Sequence, residues 1–148
     1  MAGDLYLDDL HVGQRFVAGP VSVSAADIKR FAAEFDPQPF HLDEAAAEKT
    51  LFHGLAASGW HTMALTMRML NSGGMPIATG VIGVGGEIAW PRPVRPGDEL
   101  RVESEVLEIT PSRSKPNQAV VTVRSTTTNH KGETVQVLTA KLFAFSRA

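Results

Sequence analysis

The sequence of 148 residues contains no cysteine. This absence excludes disulfide scaffolds, thiolate nucleophiles and metal sites built on cysteine ligands. A chain without disulfides is compatible with a reducing compartment, and we expect a cytoplasmic protein. The N-terminal residues are acidic and polar, which is not the composition of a secretory signal peptide.

Long hydrophobic runs and a marked excess of either charge are also missing. The longest apolar stretch, residues 55–70, is interrupted by polar and charged side chains, whereas a bilayer-spanning helix needs about 20 mostly apolar residues. The net charge is −2, which argues against a large basic surface for nucleic acid. We therefore expect neither a membrane nor a nucleic-acid partner. The hydrophobic content of 43% is typical of a globular protein, and we expect one domain over residues 1–148.

The first half of the chain is helical in pattern. Ser24 is a predicted N-cap, and apolar residues within 28–35 recur with the spacing of one helix face. Pro37 disfavours helical geometry at the residue before it, so this helix should end near Phe35. A second, short helix is predicted over residues 44–49.

The segment over residues 54–70 is apolar in all directions and predicts a buried helix. Strand patterns precede and follow the helices, at residues 14–23, 81–90, 100–109, 119–128 and 134–145. Successive strands joined by short links favour an antiparallel sheet with helices on one face. We predict an α+β fold in which such a sheet curves round one long central helix.

A stiff loop after the first helix carries the first candidate site residues. Pro37 and Pro39 fix two φ angles and bias Asp36 and Gln38 toward extended geometry. The loop would thereby present Asp36 and His41 together, as proton transfer to or from one water requires. The alternative is a connecting loop whose Asp and His only cap neighbouring backbone groups.

The start of the predicted buried helix supplies a second set of candidates. The Gly54 N–H, free of an intrahelical acceptor, could stabilise negative charge on a carbonyl oxygen, or Gly54 could serve tight packing alone. Ser58 and Thr62 lie one and two turns further along, where their hydroxyls could reach a ligand or bond to helix carbonyls. His53 and His61 lack the spacing of a zinc helix, so we expect local hydrogen bonds and no metal.

Three segments, taken in order, resemble the MaoC-like dehydratase family, which includes the (R)-specific enoyl-CoA hydratases. Residues 36–41, Asp-Pro-Gln-Pro-Phe-His, are similar to the family's Asp-x-Asn-Pro-aliphatic-His motif. Residues 52–62 resemble the His-Gly segment that opens the family's central helix, and residues 84–100 resemble its strand–turn–strand segment. The likeness runs from about Gln14 to Phe145.

The resemblance implies a hot-dog fold, a hydro-lyase and a homodimer or higher homo-oligomer. The substrate would be an acyl-CoA thioester: trans-2-enoyl-CoA is hydrated to (R)-3-hydroxyacyl-CoA, or the reverse dehydration occurs. No cofactor is implied beyond the CoA of the substrate. Asp36 and His41 would form the catalytic pair, and the Gly54 N–H would bind the thioester oxygen.

The substrate-binding residues implied by the resemblance are Gln38, Phe40, Ser58 and Thr62. Gln38 stands where the family usually has Asn, and Phe40 where it has a smaller aliphatic residue, so both should affect acyl specificity. Two other functions stay open: a hot-dog thioesterase and a non-catalytic acyl-CoA-binding protein. The thioesterase would need a carboxylate on the central helix, and residues 54–70 contain none.

Overall fold

The computed structural model describes residues 3–147 and contains one five-stranded sheet. Every neighbouring pair of strands is antiparallel, and the order across the sheet is β1-β3-β4-β5-β2. The strands are β1 (Arg15–Ser22), β2 (Gly83–Ala89), β3 (Glu99–Pro111), β4 (Gln118–Thr128) and β5 (Thr134–Phe145). The helices are α1 (Ala25–Phe35), α2 (Pro39–Leu42), α3 (Glu44–Glu48) and α4 (Gly59–Met69).

Helix α1 has the predicted boundaries for the predicted reasons. The Ser24 side chain accepts a hydrogen bond from the Asp27 N–H at 3.1 Å, which caps the first turn. Ile28 and Ala32 on its inner face are fully buried. The helix ends at Phe35, because Pro37 restricts the residue that precedes it. Asp43 caps α3 in the same way through the Ala45 N–H.

Helix α4 differs from the prediction in length and in exposure. It begins at Gly59 rather than at Gly54, with Ser58 as its N-cap. A π-helical turn over Leu70–Gly74 follows its last residue. The prediction that it is buried on all sides is wrong, because Trp60 is 60% exposed and Arg68 is also exposed. Its buried residues are His61, Thr62, Thr66 and Met69.

The sheet places alternate residues against the helices. On β4, every second residue from Ala119 to Thr127 is buried, which is the period of a strand with one face in the core. The hydrophobic core joins Val121 and Val123 of β4 to three residues of β3, Leu100, Val102 and Val106. The predicted hairpin between β4 and β5 is present, with the Gly132 N–H bonded to the Asn129 carbonyl at 3.0 Å. Within residues 3–147, no helix has the length and hydropathy of a membrane span.

Candidate active site

The loop after α1 brings Asp36 and His41 together, as predicted. The Asp36 Oδ2 atom lies 3.4 Å from the His41 Nε2 atom. Gln38 has the predicted extended backbone, but His41 lies in the short helix α2, which the sequence pattern had not indicated. Pro39 starts that helix because its fixed φ suits a first helical turn. The loop and this turn set the separation of the two side chains.

The hydrogen bond on the far side of His41 determines which ring nitrogen carries the proton. The His41 Nδ1 atom lies 2.6 Å from the Ala56 carbonyl oxygen. A carbonyl oxygen can only accept, so Nδ1 must hold the hydrogen and donate it. In the neutral ring, Nε2 is then an acceptor that faces Asp36. Only 4% of His41 is exposed, so this geometry is held inside the protein.

Two side chains donate to the Asp36 carboxylate. The Ser58 hydroxyl donates to Oδ2 at 2.7 Å, and the Gln38 side-chain amide donates to Oδ1 at 2.5 Å. Partial burial acts to raise the pKa of Asp36, but these two donors and the nearby His41 outweigh burial and lower the pKa below its ordinary value. Asp36 is therefore an anion at neutral pH.

A cleft of about 700 Å³ opens beside His41, whereas Asp36 is not one of the residues on its wall. Gln38, Phe40, His41 and Thr62, all predicted as site residues, lie on its wall. Phe40 packs edge-on against His41, with 4.7 Å between the ring centroids. Phe40, which is larger than an aliphatic residue, therefore packs against the His41 imidazole and also forms part of the cleft wall.

Gly54 does not occupy the position predicted for it. It lies in the loop before α4 with φ of +148°, and its N–H donates to the Ala47 carbonyl at 3.2 Å. The inference of a free N–H at a helix start is therefore wrong for Gly54. The residue at that position is Gly59, which begins α4 and lies on the cleft wall. Its N–H has no acceptor among the described residues, as expected in a first helical turn.

The two hydroxyl residues predicted to meet substrate have different surroundings. Ser58 is fully buried behind Asp36, where it donates to the carboxylate and caps α4 through the Trp60 N–H at 3.2 Å. It orients the carboxylate rather than lining the cleft. Thr62 lies on the cleft wall, and its hydroxyl also bonds back to the Ser58 carbonyl at 3.4 Å.

Arg95 holds the loop that carries the partners of both site residues. Its guanidinium donates to the carbonyl oxygens of Gly54 at 2.9 Å and Leu55 at 3.3 Å, and also to that of Phe52. The same loop supplies Ala56 to His41 and Ser58 to Asp36. The sequence analysis missed this role, because no local pattern connects an arginine after β2 with carbonyls about 40 residues earlier.

His61 departs from the local hydrogen bonding expected of it. Its Nδ1 is buried and has no hydrogen-bond partner among the described residues. The ring instead stacks on Phe31, with 4.7 Å between centroids. Burial lowers the pKa of His61, and nearby Asp27 offsets only part of that effect. His53 lies on the cleft wall, with a positive φ of 53°.

An antiparallel sheet round a helix, with a carboxylate–imidazole pair beside the helix N-terminus, defines the class of protein. This is the predicted hot-dog fold, here with a site suited to proton transfer. The sequence model of the family described as "MaoC like domain" matches residues 10–129 of the chain. The chain belongs to the MaoC-like dehydratase family.

Relatives of known structure or described activity agree with this assignment. A crystal structure of a MaoC-like dehydratase from Rhodospirillum rubrum is 59% identical and has a TM-score of 0.97, over 98% of this chain and 99% of that one. The unliganded R-hydratase PhaJ1 from Pseudomonas aeruginosa is 30% identical with a TM-score of 0.78, over 99% and 89% of the two chains. A 3-hydroxybutyryl-CoA dehydratase from Methylorubrum extorquens is 32% identical over 75% of this chain and 69% of its own length. The family and these relatives are hydratases and dehydratases, which supports a hydro-lyase.

Proposed function

We propose that the protein adds water to a trans-2-enoyl-CoA to form an (R)-3-hydroxyacyl-CoA, or catalyses the reverse dehydration. The observation that carries the proposal is the pair of acceptors, His41 Nε2 and Asp36 Oδ2, at 3.4 Å. A water bound to one side of the pair can donate one hydrogen to each atom, which leaves its oxygen lone pairs free to face a substrate carbon. The names of the R-hydratase and the 3-hydroxybutyryl-CoA dehydratase relatives support the choice of substrate.

The proton balance of the reaction requires one group that removes a proton and one that returns it. As the water oxygen bonds to C3 of the enoyl group, one O–H bond breaks and its proton passes to the Asp36–His41 pair. The electrons of the double bond move toward the thioester oxygen, which gains negative charge. A proton from the pair then bonds to C2, so the protein is unchanged at the end of the cycle. Because the pKa of Asp36 is lowered, we assign proton removal to His41 Nε2 and the anchoring of the water to Asp36.

The charge on the thioester oxygen needs a donor in the cleft. The resemblance assigns this role to the Gly54 N–H, which would first have to give up its Ala47 acceptor. The Gly59 N–H meets the requirement without rearrangement, since it has no acceptor and lies at the positive end of the α4 dipole. One such donor is typically worth about 3–4 kcal/mol of activation free energy.

The test is loss of the enoyl-thioester absorbance on a panel of short, medium and branched enoyl-CoAs. We expect Asp36→Asn and His41→Ala each to lower kcat/KM by 100-fold or more, a scale typical of lost acid–base groups. Exposed Asp4 and His130 provide matched controls, Asp4→Asn and His130→Ala, which should keep wild-type rates.

Three results would contradict the proposal. The first is no turnover on any member of the panel by wild-type protein. The second is full activity in both site variants, which would remove the assignment of Asp36 and His41. The third is release of free CoA thiol from acyl-CoA, which would indicate a thioesterase instead. Thermal stabilisation by acyl-CoA without turnover would indicate a binding protein.

A further inference from the structure

Two cavities follow one another along the same face of α4. The cleft contacts the helix at Gly59 and Thr62. A second cavity of about 260 Å³ contacts it at Met63 and Met67, and contacts the following π-helical turn at Leu70. These five positions recur at the spacing of one helix face, so the second cavity lies beyond the cleft toward the C-terminal end of α4. We call it the apolar chamber, because nearly all of its wall is hydrocarbon.

A fully buried set of side chains lies between the two cavities. We call Thr66, Thr127 and Gln136 the polar layer. The Gln136 amide nitrogen donates to the Thr66 hydroxyl at 3.0 Å and contacts the Met63 sulfur at 3.6 Å. The Thr66 and Thr127 hydroxyls are 2.8 Å apart. All three members of the layer are 0% exposed.

The register of the sheet fixes the position of the polar layer. Thr127 of β4 pairs directly with Gln136 of β5. The next pairs on the same face are Ser125 with Leu138 and Val123 with Ala140, and all four of these residues line the apolar chamber. The polar layer is therefore the wall that closes the chamber at its cleft end.

Trp90 covers the same wall from the cleft side. It follows Ala89, which pairs with Val137, and its indole N–H donates to the Gln136 side-chain oxygen at 2.9 Å. The ring packs so closely over Gly59 that a Cβ on Gly59 would lie 2.6 Å from it. Gln136 thus joins a residue on the cleft wall, Trp90, to one on the chamber wall, Met63.

The direction of the substrate follows from the open end of the cleft. The CoA portion is too large for the interior and must lie toward solvent, where Leu51 is 88% exposed. With the thioester oxygen at the start of α4, the acyl group extends inward toward Thr62 and Trp90. A longer chain would have to break the Trp90–Gln136–Thr66 hydrogen bonds and leave a buried amide unpaired. Because the indole N–H of Trp90 and both the oxygen and the nitrogen of the Gln136 amide would lose their partners at once, burial of a few methylene groups does not offset the combined loss.

We propose that the polar layer limits this enzyme to short-chain enoyl thioesters, by closing off an apolar chamber that a medium chain would otherwise enter. The inference rests on the proposed hydratase function and names the substrate class of that site. The specificity-determining residue is Gln136, because its amide bonds to both Trp90 and Thr66, and Thr66 in turn bonds to Thr127. Because the apolar chamber lies behind Gln136, a smaller residue at that position should remove the limit on acyl chain length.

The experiment compares four-carbon crotonyl-CoA with eight-carbon trans-2-octenoyl-CoA. For wild-type protein we expect kcat/KM to be at least 100-fold higher on crotonyl-CoA. Gln136→Ala opens the wall and should shift the ratio at least 10-fold toward octenoyl-CoA. Gln136→Met keeps the side-chain length and volume but removes the hydrogen bonds that hold the wall, so it should shift the ratio in the same direction by a smaller factor than Gln136→Ala. Adding Leu138→Phe to Gln136→Ala fills the chamber and should cancel the gain.

The outcomes separate this inference from the function on which it rests. Wild-type protein that hydrates neither substrate nor any other enoyl-CoA overturns both. Wild-type protein that hydrates octenoyl-CoA as efficiently as crotonyl-CoA overturns the chain-length limit alone, and this result needs no variant to fold. An unchanged ratio in folded Gln136→Ala, or in Gln136→Ser where the alanine variant does not fold, overturns the role of Gln136.

Discussion

Ser58 should couple the stability of the protein to the charge of Asp36. Its hydroxyl donates to Asp36 Oδ2 at 2.7 Å, and its oxygen accepts from the Trp60 N–H at 3.2 Å. Ser58→Ala removes both interactions. A hydrogen bond to a charged group contributes roughly 1.5–3 kcal/mol, and an N-cap contributes about 1 kcal/mol. Because the Asp36 side chain is 18% exposed, water can replace part of the first contribution, and we expect a total loss of about 2–3 kcal/mol.

A matched control separates the cap from the carboxylate. Ser24 caps α1 through the Asp27 N–H in the same manner, and it does not contact Asp36. Ser24→Ala should therefore cost about 1 kcal/mol. Urea unfolding at neutral pH gives both values. Because the Ser24 hydroxyl also lowers the pKa of the exposed Asp27 carboxyl, the difference is a minimum value for the hydrogen bond to Asp36.

The pH dependence of the same variant provides a second, independent measurement. The pKa of Asp36 is lowered in the folded state, so its contribution is present above the unfolded pKa and is lost as pH falls through the folded pKa. The extra cost of Ser58→Ala should therefore be largest near neutral pH and shrink in acid. The pKa of Asp36 should also rise in the variant, which NMR titration of its side-chain carboxyl carbon would measure. Equal losses in Ser58→Ala and Ser24→Ala, with an unchanged pKa of Asp36, would refute this reasoning.

Two further predictions concern residues that support the site. Arg95→Lys should lower kcat more than it raises KM and should cost about 2 kcal/mol of stability, because one ammonium group cannot donate to three loop carbonyls in the same geometry. Arg113→Lys, in an exposed loop, is the control. Equal effects of the two substitutions would contradict the role of Arg95. His61 has a lowered pKa through burial, so the wild-type protein should lose stability as pH falls below about 6.5. His61→Phe should reduce that loss, as measured by urea unfolding over a range of acid pH. If the free energy of unfolding depends on pH equally in the wild type and in His61→Phe, burial of the His61 imidazole does not contribute to the loss.

The elements whose cause is local could be predicted from the sequence. Helix α1 was predictable to within a residue, since its cap at Ser24 and its stop at Pro37 act through neighbouring backbone. The strands were located for a similar reason, because alternation of side chains is a local property. The start of α4 was not, because the residues before Gly59 are apolar and small enough for a helix. They are held instead by distant contacts, such as the Ala57 N–H to the Val94 carbonyl at 2.9 Å.

In the candidate site, too, features set by neighbouring residues were predictable, and features set by distant residues were not. Asp36 and His41 are only five positions apart, across a stiff loop and the start of α2, so their proximity was predictable. The tautomer of His41 depends on Ala56, and the lowered pKa of Asp36 depends in part on Ser58, which is 22 residues away. The prediction assigned Ser58 to the substrate because a hydroxyl on a helix face has no local sign of its partner.

Gln136 is the case in which a local signal existed and was not used. The residues that follow Gln136 at every second position of β5 are all apolar, namely Leu138, Ala140, Leu142 and Ala144. An amide at such a position is costly unless its hydrogen bonds are satisfied. Its presence therefore implies partners inside the fold, and the sequence offers a nearby indole and several threonines without specifying which. Only the register of β4 against β5 identifies Thr127, and only the packing of α4 identifies Thr66. A polar residue on the core-facing row of a strand is thus a reason to look for a boundary between two interior spaces.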